Sequence, residues 1–224
     1  MSAKISVFIL AYNSEAQIGT ALKSIQWADE IVVIDSHSTD RTVAIAEEHG
    51  AKVVQEEFRG FGRLRNAGIT HTTHEWIFSL DTDERCTPEA RDEIQQIINS
   101  KDAADAYHTP RRNYFMGRFI KHGGWYPNYR QPQLFRRGRL TFPEEDLVHE
   151  GFRLEGRLAE MQCAIEQEPF ETLSDVLHKA NRYSSLSAEK LRRDQRQSGA
   201  FRAFAHGLGM FLKMYYIFFS GGCV

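Results

Sequence analysis

Apolar positions along the first hundred residues alternate between short β-branched runs and stretches with helical spacing, a pattern that predicts βαβ units and a mainly parallel sheet. Ile5–Leu10 reads as the first strand, Glu30–Asp35 as the second, Lys52–Gln55 as the third and Glu75–Leu80 as the fourth, which ends at Asp81. Ser14 and Gln17 have the spacing of a capping box that would open a helix toward Trp27. Asp40 or Thr39 is placed to cap a helix carrying Val43, Ile45 and Ala46, which Gly50 would close. Thr87-Pro88 starts another helix, with proline at its first position, that runs to about Asn99.

Beyond Asp105 the pattern changes. Aromatic residues, proline and glycine separate short strand candidates at Ala106–Thr109, Gln133–Phe135 and Leu140–Phe142, so this half reads as α+β. Helical spacing returns from Leu173 to Gln197, with arginine and lysine gathered on the exposed face. The stretch Phe201–Phe219 is rich in Phe, Met, Tyr and Leu but is broken by His206, Gly207, Gly209 and Lys213, which suits an interfacial amphipathic helix better than a membrane span. The expected organisation is one domain over 1–170, in two halves at 1–100 and 101–170, followed by a basic amphipathic helical extension at 171–224.

The 224 residues, 42% of them hydrophobic, suffice for one substantial core. A net charge of −2 argues against a general nucleic-acid binder. That charge is uneven, because from His178 onward eight Lys/Arg face two Asp/Glu. Attraction of such residues to an anionic lipid surface is worth about 1 kcal/mol each, so peripheral docking on the membrane is expected; the bland alternative is a solvated helix followed by one that completes the core. Cys86, Cys163 and Cys223 are scattered, with neither a disulfide framework nor a metal-site spacing, which fits a reducing cytoplasm. Lys4 precedes an apolar run too short for a signal peptide, so the chain is expected to meet its partners from the cytoplasmic side.

In an open parallel sheet, ligands bind beyond the carboxyl ends of the strands. The first strand ends in Ala11-Tyr12-Asn13, the second in Asp35 and the fourth in Asp81-Thr82-Asp83, so three strand tips are expected to converge on one crevice. A nucleoside diphosphate needs contacts for its base and ribose and a divalent ion for its phosphates, and hard carboxylate oxygens suit Mg²⁺ or Mn²⁺. A lone D-x-D is a weak signal, since acidic turns at strand ends are common. Its place after an apolar strand and before a capped helix strengthens it.

These residues carry a family resemblance. Val7-Phe8-Ile9-Leu10-Ala11-Tyr12-Asn13, the run Val33 to Thr42, Arg65-Asn66-Ala67-Gly68-Ile69 and Leu80-Asp81-Thr82-Asp83-Glu84 occur in the order found in GT-A-fold, family 2 inverting glycosyltransferases. The resemblance implies that Tyr12 and Asp35 contact the uracil of a UDP-sugar, with Asn13 beside them, that Asp81 holds the ribose and that Asp83 holds the metal bridging the diphosphate. It further implies that Arg65 and Asn66 help hold the donor, where residue reading alone leaves Arg63 and Arg65 evenly balanced with a solvated helix start. In Val148-His149-Glu150 it points to Glu150 as the base and places His149 near the metal or phosphates; Asp146 is the second candidate, with an ordinary acidic loop at Glu144–Asp146 as the alternative.

An inverting transfer needs such a carboxylate to take the acceptor proton. Arg130 and Arg136 are candidate phosphate or acceptor contacts, against surface ion pairing. Trp125, Tyr126 and Tyr129 are candidates for a sugar platform, against core packing. Phe58-Arg59-Gly60-Phe61-Gly62, Asp81 to Arg85 and Val148 to Gly151 most resemble bacterial lipopolysaccharide core β-1,4-glucosyltransferases, which implies glucose transfer from UDP-glucose to an inner-core heptose of a membrane glycolipid. Members of that subgroup usually continue past a glycine-rich segment like Ser220-Gly221-Gly222. The rivals are a nucleotidyltransferase, for which Ala11-Tyr12-Asn13-Ser14 lacks the glycine-rich basic loop, and an inactive sugar-binding homologue.

Overall fold

The computed structural model describes residues 3–144 except 123, 124, 128 and 130, then 151–169, scattered positions between 172 and 199, and 200–220. In chain order the elements are β1 (Ile5–Ala11), α1 (Ile18–Ser24), β2 (Glu30–Asp35), α2 (Thr42–Glu48), β3 (Lys52–Gln55), α3 (Phe61–His71), β4 (Trp76–Asp81), β5 (Glu84–Arg85) and α4 (Pro88–Ile98). The second half adds β6 (Ala106–His108), β7 (Arg111–Phe115), β8 (Arg118–Phe119), β9 (Leu134–Arg136), β10 (Leu140–Thr141), β11 (Arg153–Leu154), β12 (Leu158–Glu160), β13 (Ile165–Gln167) and a long helix α5 (Ala200–Ser220).

Seven strands form one sheet in the order β12-β6-β9-β4-β1-β2-β3. Strands β1, β2, β3 and β4 run parallel, as the βαβ pattern predicts, and β9 enters antiparallel between β4 and β6. Every residue of β1 is buried, because helices cover both faces and the period of two sends Ile5, Val7 and Ile9 to one core and Phe8 and Leu10 to the other. The first core takes Ile18, Leu22 and Ile25 from the α1 region and Ile94 and Ile98 from α4. The second takes Leu64 from α3, together with Phe135 and Phe142 from the other half of the chain.

Helix starts differ from expectation at one place. No capping box forms at Ser14: its backbone N–H donates to Thr42 Oγ1 at 2.7 Å, Gln17 Nε2 reaches instead to the Glu168 carbonyl, and α1 begins only at Ile18 and ends at Ser24, short of Trp27. Asp40 does serve the next helix, accepting from the backbone N–H of Thr42 at 2.9 Å. Gly50 follows α2 with φ 76°, the left-handed conformation that suits glycine at a helix end. Thr87 caps α4 through Ala90 N–H, with Pro88 at the first turn. From 173 to 192 the described positions are helical.

Candidate functional site

Strand register brings the predicted tips together. Leu10 lies opposite Asp81 and Ala11 opposite Asp35, so β1 is flanked at its carboxyl end by a carboxylate on each neighbouring strand. Asp35 is fully buried and accepts from the backbone N–H of Ser38 at 2.8 Å as well as from its hydroxyl. Ser38 Oγ in turn accepts from Asn13 N–H, and Asn13 Oδ1 accepts from Thr39 N–H at 2.8 Å, which stitches the loops after β1 and β2 into one wall. Asn13 takes φ 45° to do so, a conformation asparagine tolerates better than most residues. Tyr12 stands 46% exposed at the lip of that wall, between the two acids in the sheet order.

Around the third tip the acids are packed closely. Asp81 meets the Arg65 guanidinium at 3.3 Å, and Arg65 is itself 3% exposed, donating also to Ser79 Oγ at 2.8 Å and lying over the Phe142 ring. The solvated helix start is therefore not what Arg65 occupies. Asn66 turns both amide atoms to the backbone of Phe142, donating to its carbonyl at 2.8 Å and accepting its N–H at 3.0 Å. Asp83 is 8% exposed; its Oδ1 accepts from Gln167 Nε2 at 3.3 Å, and its carbonyl accepts from Glu168 N–H.

Sequence reading did not single out what lies beneath. Glu84 is fully buried and forms an ion pair with Arg111 at 2.6 Å; its other oxygen accepts from Asp81 N–H at 3.0 Å and from Gln133 Nε2 at 2.8 Å. Burial pushes the Glu84 carboxyl above its usual range, Arg111 opposes that, and the nearby Asp81 and Asp83 charges add to it. This carboxyl ties the acidic segment to β7 and to the residue before β9, both from the second half. A small sheet, β5-β13-β7-β8, frames it, with Gln167 opposite Glu84 on one side and Asn113 on the other. Only the adjacency of Glu84 to the D-x-D hinted at this, since Arg111, Gln133 and Gln167 sit in no motif.

One expectation for the second half changes. Arg136 pairs with Glu75 and lies 4.4 Å from the Trp76 ring centroid, opposite Trp76 at the start of β4. Five residues of strand, about 16 Å, separate that end from Asp81, so Arg136 takes the surface ion-pair role and is not a phosphate contact. Within the aromatic group, Tyr126 packs edge-on to Phe119 and Tyr129 edge-on to His108, with Tyr129 36% exposed; Trp125 offers its carbonyl to Asn113 Nδ2. Asp146, His149, Glu150 and Arg130 lie outside the described residues.

Among the described residues no three His, Cys, Asp or Glu side chains form a metal cage. The donor set nevertheless fits a hard divalent ion, because Mg²⁺ is commonly held by one or two carboxylates plus substrate phosphates, and Asp83 supplies an oriented carboxylate beside Asp81 and Glu84.

Comparison with known proteins agrees with this geometry. The chain is 27% identical to the "Lipopolysaccharide core biosynthesis glycosyltransferase LpsC" of Rhizobium meliloti (strain 1021), over 83% of this chain and 71% of that one. It is also 27% identical to a Rickettsia felis protein described as an uncharacterized glycosyltransferase, over 96% of this chain and 79% of the relative. The S. aureus TarS 1-349 structure in complex with UDP-GlcNAc superposes with a TM-score of 0.59 at 21% identity, over 77% of this chain and 60% of TarS 1-349, and shares the fold. The expected GT-A α/β architecture is thus the one observed. Residues 6–155 match the family described as Glycosyl transferase family 2, and with two thirds of its length in that match, the chain belongs to that family.

Proposed function

We propose that the protein transfers a hexose, with glucose the first choice, from a UDP-sugar to a lipopolysaccharide or lipooligosaccharide inner-core heptose, with inversion at the anomeric carbon. One observation carries the donor half of this reading: Asp35 and Asp81 end the two strands that flank β1, with Asp83 buried two residues on. In this proposal Tyr12 and Asp35 take the uracil, and Asp81 the ribose. The TarS complex holds UDP-GlcNAc and LpsC is named for lipopolysaccharide core biosynthesis, which supports the donor class and the acceptor class respectively.

Asp83, with His149, is the proposed holder of Mg²⁺ or Mn²⁺. When bound, that ion would offset the charge developing on the departing diphosphate. Arg65 acts in this proposal through Asp81, whose carboxylate it orients, and Asn66 acts through Phe142, whose backbone it braces. Glu150 is the proposed base that takes the acceptor hydroxyl proton, with Asp146 as the second choice. The division into a catalytic domain at 1–170 and a helical extension at 171–224 belongs to the same proposal, as does docking of that extension on the cytoplasmic face of the inner membrane.

The test is a panel of UDP-sugars with Mg²⁺ or Mn²⁺, reading UDP release with and without lipooligosaccharide. Transfer should require the glycolipid, and Asp83→Asn should lower it by about 10²–10³-fold with the circular dichroism spectrum unchanged. Glu150→Gln should lower turnover by about 10²–10⁴-fold while UDP still binds. Wild-type turnover in Asp83→Asn removes the metal role, and a loss confined to Asp146→Asn moves the base.

A further inference from the structure

Two buried carboxamides grip the acidic segment from different sheets. Gln133, 1% exposed, donates to Glu84 from the residue before β9, and Gln167, 5% exposed, donates to Asp83 from the end of β13. An ionised carboxylate only accepts hydrogen bonds, so each acid fixes its partner's amide with nitrogen inward. Among the described residues, each carboxamide is thereby left with a buried Oε1 that has no donor. Native proteins rarely leave such an acceptor empty without a reason.

The two differ in what they support. Gln133 joins a carboxylate already paired with Arg111, within a closed structural network. Gln167 orients the one acid proposed to hold the cation, and it does so without adding a positive charge that would compete with that cation. Within an amide the oxygen and nitrogen are about 2.3 Å apart, so Gln167 Oε1 lies within about 5.6 Å of Asp83 Oδ1, given the 3.3 Å bond from Nε2. One water or hydroxyl spans that interval.

We propose that Gln167 is a positioning residue for the Asp83 carboxylate, and that its Oε1 accepts a hydrogen bond from a water or hydroxyl brought to Asp83 with a divalent cation and a nucleoside diphosphate. This rests on the donor-site reading above. Gln167 meets the donor site at Asp83, while its register partner Asn113, 2% exposed, holds the Trp125 carbonyl on the opposite side of β13. Loss of the carboxamide should therefore act on cation uptake first.

The experiment is calorimetric titration of Mn²⁺ into the full chain with UDP present, comparing wild type, Gln167→Met and Gln167→Asn, with thermal melts alongside. Groups that hydrogen-bond to a metal's ligands typically contribute about 10–100-fold to its affinity, so a Mn²⁺ affinity about 10–100-fold weaker is expected in both variants, with UDP uptake restored at saturating Mn²⁺. Should Gln167→Met fail to fold, Gln167→Asn keeps a carboxamide in the strand and carries the same test. Unchanged Mn²⁺ affinity in a folded variant overturns the proposal, and so does a UDP deficit that Mn²⁺ does not rescue, which marks a displaced strand. A wild-type chain that takes up no Mn²⁺ with UDP overturns the donor-site reading itself.

Discussion

At the scale of single residues, the Glu84–Arg111 pair links the two halves of the chain and is open to a direct energetic test. Both side chains are 1% exposed, so removing one partner strands a charge out of water. Arg111→Met should cost about 3–5 kcal/mol by denaturant unfolding, and Glu84→Gln combined with it should recover much of the loss, because the double variant buries no lone charge. A double variant no more stable than Arg111→Met would mean that Glu84 acts on Asp81 alone. The strand-tip acids were legible in the sequence because three apolar runs end in polar or acidic tips that an open parallel sheet gathers at one edge, and because those tips recur in a family's motif order. Their partners were not: Arg111 and Gln167 reach them across 27 and 84 residues of sequence separation, with no local signal.

Glu30 adds a pH dependence at the same scale. Burial alone would raise its carboxyl, but hydrogen bonds from Ser6 and from the backbone and hydroxyl of Thr73, with the His74 charge, outweigh it and lower the carboxyl below its ordinary value of 4.5. A lowered folded value means that the stabilisation is complete above the unfolded value and is lost as pH falls through the folded one. Glu30→Gln should therefore be less stable than wild type at neutral pH and should lose less stability on acidification to about pH 3. Thermal melts across that range read both effects, and parallel curves would rule out Glu30 as a contributor.

Among the elements, α3 shows how the sequence sets the distance between a helix and the sheet. A Cβ placed on Gly68 would sit 2.5 Å from the Phe8 ring, which is fully buried in β1, and one on Gly62 would sit 2.2 Å from the Pro143 carbonyl. Glycine lets α3 approach closely enough for Arg65 to reach Ser79 and Asp81. Gly68→Ala should destabilise the fold by about 1–3 kcal/mol through overpacking, and should weaken UDP binding more than a stability-matched change on the outer face of α2. Equal UDP affinity in the two variants would separate α3 from the site. Most elements of the first half were legible because covered parallel strands and capped helices leave local patterns, as at Thr87-Pro88 and Gly50. The small sheet was not, since two- and three-residue strands such as β5 and β13 are held by distant partners and have no period to read. The capping box failed at Ser14 for a related reason, a long-range bond from its N–H to Thr42 that outweighs local spacing.

For the molecule as a whole, α5 poses the remaining physical problem. It carries no acidic residue, and Phe201, Phe204 and Phe211 are 85%, 70% and 64% exposed, a surface that water disfavours. Among the described residues no helix is long and apolar enough to cross a membrane. At 100° per residue, positions 202, 206 and 213, occupied by Arg, His and Lys, fall within about 40° of one another. The rest of the helix circumference is mostly apolar, far wider than the seam two helices need, and a narrow basic stripe over a broad apolar arc suits an anionic lipid surface. The full chain should co-float with vesicles containing anionic lipid and much less with neutral ones, and paired Phe204→Glu and Phe211→Glu changes should abolish flotation while UDP binding in solution persists. If those changes instead convert a dimer to a monomer and leave flotation intact, a second copy of the chain covers α5 and another part of the chain meets the vesicle.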